Sequence, residues 1–133
     1  MNKPSAWSIF EGLSDSDPSV LTEHQRLLVA FAGVRQEVSS GGFDSYFRNS
    51  YGDEAGSAVE AAMRVGCEAL AALIAEGMSR VGPSRFPTDA GTRQELLDAS
   101  GVEFEDLDEA FYALEADQDL EALMESLATL ISD

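Results

Sequence analysis

No lysine, arginine or histidine occurs after Arg93. Residues 94–133 carry 13 carboxylates and no basic side chain, net −13, whereas residues 1–93 carry 12 acidic side chains and all eight basic ones, net −4. A surface of that sign repels nucleic acid and anionic membranes. It attracts Lys- and Arg-rich proteins over a Debye length of about 8 Å at physiological salt. Direct nucleic-acid binding is therefore set aside.

Cysteine is nearly absent. With Cys67 alone no intrachain disulfide can form, and a reducing cytoplasm is the expected compartment. Long apolar runs are missing too: Leu27 to Val34 and Ala69 to Ala75 fall far short of the roughly 20 residues a membrane helix needs. Met1 to Phe10 holds one lysine and no extended apolar stretch, unlike a secretory signal. The single histidine, His24, has no second imidazole and no nearby thiol to complete a metal site. Asp15, Asp17 and Ser19 imitate the start of a calcium loop. Val20 then stands where that loop needs glycine, and Arg26 where it needs a bidentate glutamate. No phosphate-cradling glycine loop or nucleophile elbow occurs, so neither catalysis nor a metal or organic cofactor is expected.

What is present is the material for one core. The 133 residues are 44% hydrophobic, enough for a single domain without disulfide or metal. The expected architecture is all-α, a compact bundle of six or seven helices. Residues 1–19 form an N-terminal segment packed on a helical acidic domain of residues 20–133. Trp7, Ile9, Phe10 and Leu13 lay aromatic and aliphatic groups from that segment on the core, and Ser14 to Ser19 is a turn. Leu27, Phe31, Val34 and Val38 follow at i, i+4, i+7 and i+11 in a helix that Thr22 and Gln25 can open as a capping box and that Gly41 and Gly42 stop.

Phe43 to Ser50 reads as a short helix closed by Gly52, with Asp53 as N-cap of the next. The spacing then predicts one long helix through Val59, Met63, Gly66, Leu70, Leu73 and Ile74, ending before Gly82-Pro83. Cys67 would sit mid-helix in it as a small buried hydrophobe. Three shorter helices carry Leu96 and Leu97, then Phe104 to Leu114, then Leu120 to Leu130. No segment alternates like a strand.

In the helix from Phe104, the apolar stripe leaves Glu105, Asp106, Asp108 and Glu109 on the outward, solvated arc. In the last helix Asp117, Glu121 and Glu125 recur at i, i+4 and i+8 opposite the leucines. Like charges at that spacing cost a helix a few tenths of a kcal/mol per pair. Acids in the first turn favour the helix dipole, but Glu109, Glu121 and Glu125 lack that excuse. The cluster is either a solubility device or a functional face. A halophilic origin would spread the acids evenly instead of leaving residues 1–93 near −4. These seven carboxylates, Glu105, Asp106, Asp108, Glu109, Asp117, Glu121 and Glu125, are the candidate partner-binding residues.

The segment from Ser40 through Gly41, Gly42, Phe43, Phe47 and Asn49 to Gly52 resembles the signature of a bacterial all-helical family, formerly a domain of unknown function, whose described member is a DNA mimic protein. The usual start is Asn-Gly-Gly-Phe, and Ser40 replaces that asparagine here. The preceding helix, the Ala-rich segment after the motif and the late acidic stretch extend the resemblance over roughly residues 20 to 131. The motif's physics is structural: Gly41 and Gly42 allow a positive-φ turn, Phe43 and Phe47 anchor a helix at i and i+4, and Asn49 with Gly52 closes it. The resemblance implies a protein whose carboxylates stand in for phosphates and occupy the DNA-binding face of a basic repressor or nucleoid protein. The alternatives are an immunity protein for a basic nuclease toxin and, more distantly, a regulatory subunit or small enzyme of unrecognised type. Trp7 and Tyr51 are either anchors for a homodimer or parts of the core, and the pattern leaves both open.

Overall fold

A computed structural model describes residues 5–132. It is all-α: seven α-helices and two 3₁₀ turns, with no strand among the described residues. α1 is Ala6–Leu13, α2 Glu23–Arg48, α3 Ala55–Arg64, α4 Glu68–Val81, α5 Ala90–Ser100, α6 Glu105–Asp117 and α7 Leu120–Ser132; the 3₁₀ turns are Pro18–Val20 and Ser50–Glu54.

Most helix starts follow local chemistry. Ser5 caps α1, Thr22 and Gln25 make the expected reciprocal capping box on α2, and Asp89 caps α5. α2 is the axis of the molecule, touching α1, α3, α5, α6 and α7. Its predicted stripe of Leu27, Phe31, Val34 and Val38 is fully buried. Gly42 interrupts it with φ 77°, so the run divides into two helical pieces with the break at the expected glycine. Beyond the break Phe43, Tyr46 and Phe47 are buried against Phe104 and Phe111, and aromatic rings form the centre of the core. Trp7 and Tyr51 are half-buried and pack on that core.

Three expectations are corrected. The long helix through Gly66 is two helices. Gly66 takes φ 79°, its amide donates to the Met63 carbonyl at 3.0 Å, and the Cys67 amide donates to Ala62 at 2.8 Å. That pair of bonds is a Schellman closure, which ends α3 although the apolar periodicity continues past it. Cys67 is buried as expected, but at the N-terminal end of α4 rather than mid-helix, with its thiol 3.5 Å from Gln118 Oε1. Asp53 caps no helix: α3 starts after Glu54 with no side-chain cap, and Asp53 is held elsewhere. No helix of the described residues is long and apolar enough to cross a membrane.

Candidate acidic interface

The acidic residues of 94–119 lie on α5, α6 and the loops around them, and arginines brought in from other elements select among them. Arg80 of α4 grips Asp106 with two nitrogens at 2.7 Å each and reaches Glu76 at 2.9 Å. That fork holds the Asp106 carboxyl at about 2, below its ordinary 3.8, and raises the Arg80 pKa in turn.

Two residues further along α6, Asp108 points the other way. Its Oδ1 accepts the Phe43 amide at 2.8 Å, so it caps the helical piece that restarts after Gly42. Partial burial there raises its pKa, with the nearby charges of Asp106 and Asp44 adding to the effect and the Phe43 amide opposing it. The expectation that all four carboxylates around the start of α6 are free in solvent therefore fails for Asp108, and Asp106 is exposed but bound.

The expectation for Glu121 and Glu125 also changes. Asp117 is the last residue of α6 and the other two belong to α7, so no single helix stacks the three charges. Glu125 accepts the Ala6 amide on both oxygens at 3.1 Å, placing its charge at the N-terminal end of α1 beside the Ser5 cap, where it favours the helix dipole. Glu121 takes the Trp7 indole N–H at 2.9 Å and Arg35 at 3.0 Å. Arg35 meanwhile binds Glu115 through Nε at 2.8 Å and lies 5.5 Å from the centre of the Trp7 ring. Burial disfavours the Arg35 charge, but Glu115 and Glu121 outweigh it and its pKa is raised. This cluster joins α1, α2, α6 and α7. The outward side of α7 is neutral: Ala122, Ser126 and Thr129 are exposed.

Of the seven candidates, Glu105, Glu109 and Asp117 are exposed and form no ion pair among the described residues. Glu105 and Glu109 stand one turn apart on the outward side of α6. Glu95 and Glu103 are exposed and unpaired in the same sense. Arg26, Arg48 and Arg64 are likewise consumed, by Glu54, by Asp44 with Asp98, and by Glu23 with Glu60.

Sequence reasoning did not single out Arg93, the largest fully buried side chain. Its guanidinium donates to the carbonyls of Phe47 at 2.7 Å, Asn49 at 2.9 Å and Pro87 at 2.9 Å, and to Asp53 Oδ1 at 2.6 Å. It thereby closes the C-terminal end of α2 and ties the glycine-aromatic motif to the loop before α5, with the Phe86 ring at 5.4 Å. The available signal was its position: Arg93 and Leu97, at i and i+4, are the only buried residues described on α5. Asn49 also serves the corner, accepting the Tyr51 amide and donating to Glu37. At this corner Gly42 takes the positive φ and Phe43 and Phe47 are buried, with Gly52 beside the Arg93 guanidinium, whereas Gly41 is not among the positive-φ glycines. Among the described residues no group of three or more His, Cys, Asp or Glu side chains is placed to hold a metal ion.

No curated protein and no solved structure matches the chain. The DMP19-like protein family matches residues 19–131, from the turn before α2 into the last turn of α7. That span takes in the glycine-aromatic corner, the Arg93 anchor and the whole acidic stretch except its last residues, and the chain belongs to the DMP19-like protein family.

Proposed function

We propose that this protein is an acidic protein-binding module that occupies the DNA-binding face of a basic DNA-binding protein, acting by binding alone. The observation that carries the reading is the disposition of charge after folding. The arginines that reach α5 and α6 are spent on Asp98, Asp106 and Glu115, while Glu105, Glu109 and Asp117 stay exposed without an ion pair among the described residues. Exposed carboxylates at helical spacing present to a basic surface the chemistry that phosphates would. Membership of the DMP19-like family supports the same reading.

The test is a pull-down from source-cell lysate at low and high salt, followed by competition against DNA for the recovered partner. Replacing Glu105 and Glu109 by Gln and Asp117 by Asn should weaken binding and flatten its salt dependence with the fold intact. A triple variant that keeps full affinity and the same salt dependence would reduce the acidic surface to a solubility device. A partner that is a basic nuclease, silenced by this protein, would move the reading to toxin immunity.

A further inference from the structure

α4 and α6 run antiparallel. Arg80, near the end of α4, bridges to Asp106 at the start of α6, while Cys67, at the start of α4, meets Gln118 just past the end of α6. Between these ties the two helices leave a groove of about 500 Å³ lined by Ala69, Leu73, Ala110, Ala113, Leu114 and Asp117. The wall residues fall at matched spacing, Ala69, Leu73, Glu76 and Arg80 on α4 and Asp106, Ala110, Ala113 and Asp117 on α6. Ala69, Ala110 and Ala113 are exposed and Leu73 is half-buried, so the trough is apolar yet open to solvent. One end is acidic, and further exposed carboxylates neighbour the wall residues along the chain. Asp117 lies at one end, Glu68 precedes Ala69, and Glu109 stands one turn before Ala113, none of them ion-paired among the described residues. The cation that reaches it, Arg80, is occupied by Asp106 and Glu76 at the other end.

We infer that this groove seats a basic amphipathic helix of the DNA-binding partner, an inference that rests on the function proposed above and gives it an address. The shape favours a helix. Two helical walls offer no free backbone N–H or C=O, so an extended strand laid there would leave its own main chain unpaired, whereas a helix arrives with its backbone satisfied. Alanine at 110 and 113 lets a third helix approach within the usual 8–10 Å or so between packed axes. Charge fixes the sign: an apolar stripe on the incoming helix meets Leu73 and Leu114 while lysines or arginines flanking that stripe meet Glu68, Glu109 and Asp117.

Two fluorescent synthetic helical peptides of equal length and net positive charge test this, one with a leucine stripe opposite its lysines and one with the stripe replaced by glutamine. The striped peptide should bind by anisotropy about tenfold more tightly than its stripe-free control. It should also shift the amide resonances of Leu73, Ala110 and Ala113. Ala113→Trp, which fills the trough without changing charge, should cut that affinity about tenfold, and Ala113→Arg should cut it further. Both substitutions fall on an exposed helical position, so the circular dichroism spectrum should not change. Equal binding of the two peptides, untouched by Ala113→Trp, would overturn the groove as the seat while leaving the acidic-surface reading standing. Failure of both peptides to bind at low salt would overturn both.

Discussion

The Asp108 carboxylate accepts the Phe43 amide hydrogen at 2.8 Å and occupies the space a Cβ on Gly42 would need, 2.5 Å from its Oδ2. One glycine therefore does two things: it turns the backbone at φ 77° and leaves room for the cap that restarts the helix. Gly42→Val should cost at least about 2 kcal/mol, combining positive-φ strain with a displaced cap. Chemical denaturation would read the loss, and a variant as stable as the parent would refute the double role.

Asp108 also makes a pH prediction. Its pKa is raised above 3.8, so the folded state holds that proton more tightly than the unfolded chain. The resulting stability is greatest near and below 3.8 and falls as pH climbs through the raised value. Asp108→Asn keeps the acceptor for Phe43 and removes the ionisation cost, so it should match or exceed the parent at neutral pH, with that advantage shrinking on acidification. Asp108→Ala, which loses the acceptor, should lower stability by about 1 kcal/mol.

Asp106 titrates with the opposite sign. Its folded value near 2 lies below the ordinary 3.8, so the Arg80 bridge contributes stability above 3.8 that is lost as pH falls through 2. Carboxyl NMR should find the Asp106 midpoint near 2, and Arg80→Gln should return it toward 3.8. An unchanged midpoint in that variant would show that the fork does not set it.

Arg93 and Tyr46 are buried polar groups with opposite fates. Removing Arg93 leaves three carbonyls and Asp53 without their donor, and Arg93→Met should destabilise by about 3 kcal/mol or more, with Arg93→Lys a poor rescue because it cannot reproduce the planar fork. The Tyr46 hydroxyl is buried with no hydrogen-bond partner among the described residues. Tyr46→Phe should therefore stabilise by about 1 kcal/mol. Urea unfolding of both variants checks the pair, and a loss of stability in Tyr46→Phe would reveal a partner for the hydroxyl.

Glutamates of α7 should separate from those of α6. Glu121→Gln weakens the Arg35 pair beside the Trp7 indole, and Glu125→Gln removes the charge at the start of α1, so each should lower the melting temperature. Glu109→Gln should leave it unchanged or slightly raised, because it relieves repulsion from Glu105. If all three behave alike in thermal melts, the division between engaged and free carboxylates is wrong.

The all-α class, the capping box at Thr22 and Gln25, the break at Gly42 and the stripe of α2 were legible in the residues because each is local: a cap, a glycine or a 3.6-residue period acts within one or two turns. Gly66 was legible only as a glycine, since the apolar pattern runs through it and the Schellman bonds that end α3 depend on a backbone state the side chains do not announce. Charge asymmetry along the chain was compositional, and it pointed to the acidic region without ranking its members. That ranking was tertiary. Asp106 and Asp108 are indistinguishable by local pattern, yet helix packing brings Arg80 to one and the Phe43 amide to the other, from 26 and 65 residues away. Glu121 and Glu125 are placed just as remotely, facing an arginine on α2 and the start of α1. The residues alone determined how much negative charge residues 94–133 hold; only the approach of distant helices decided which carboxylates are engaged in the fold and which stay exposed without an ion pair among the described residues, because a carboxylate's role is set by the donor that reaches it.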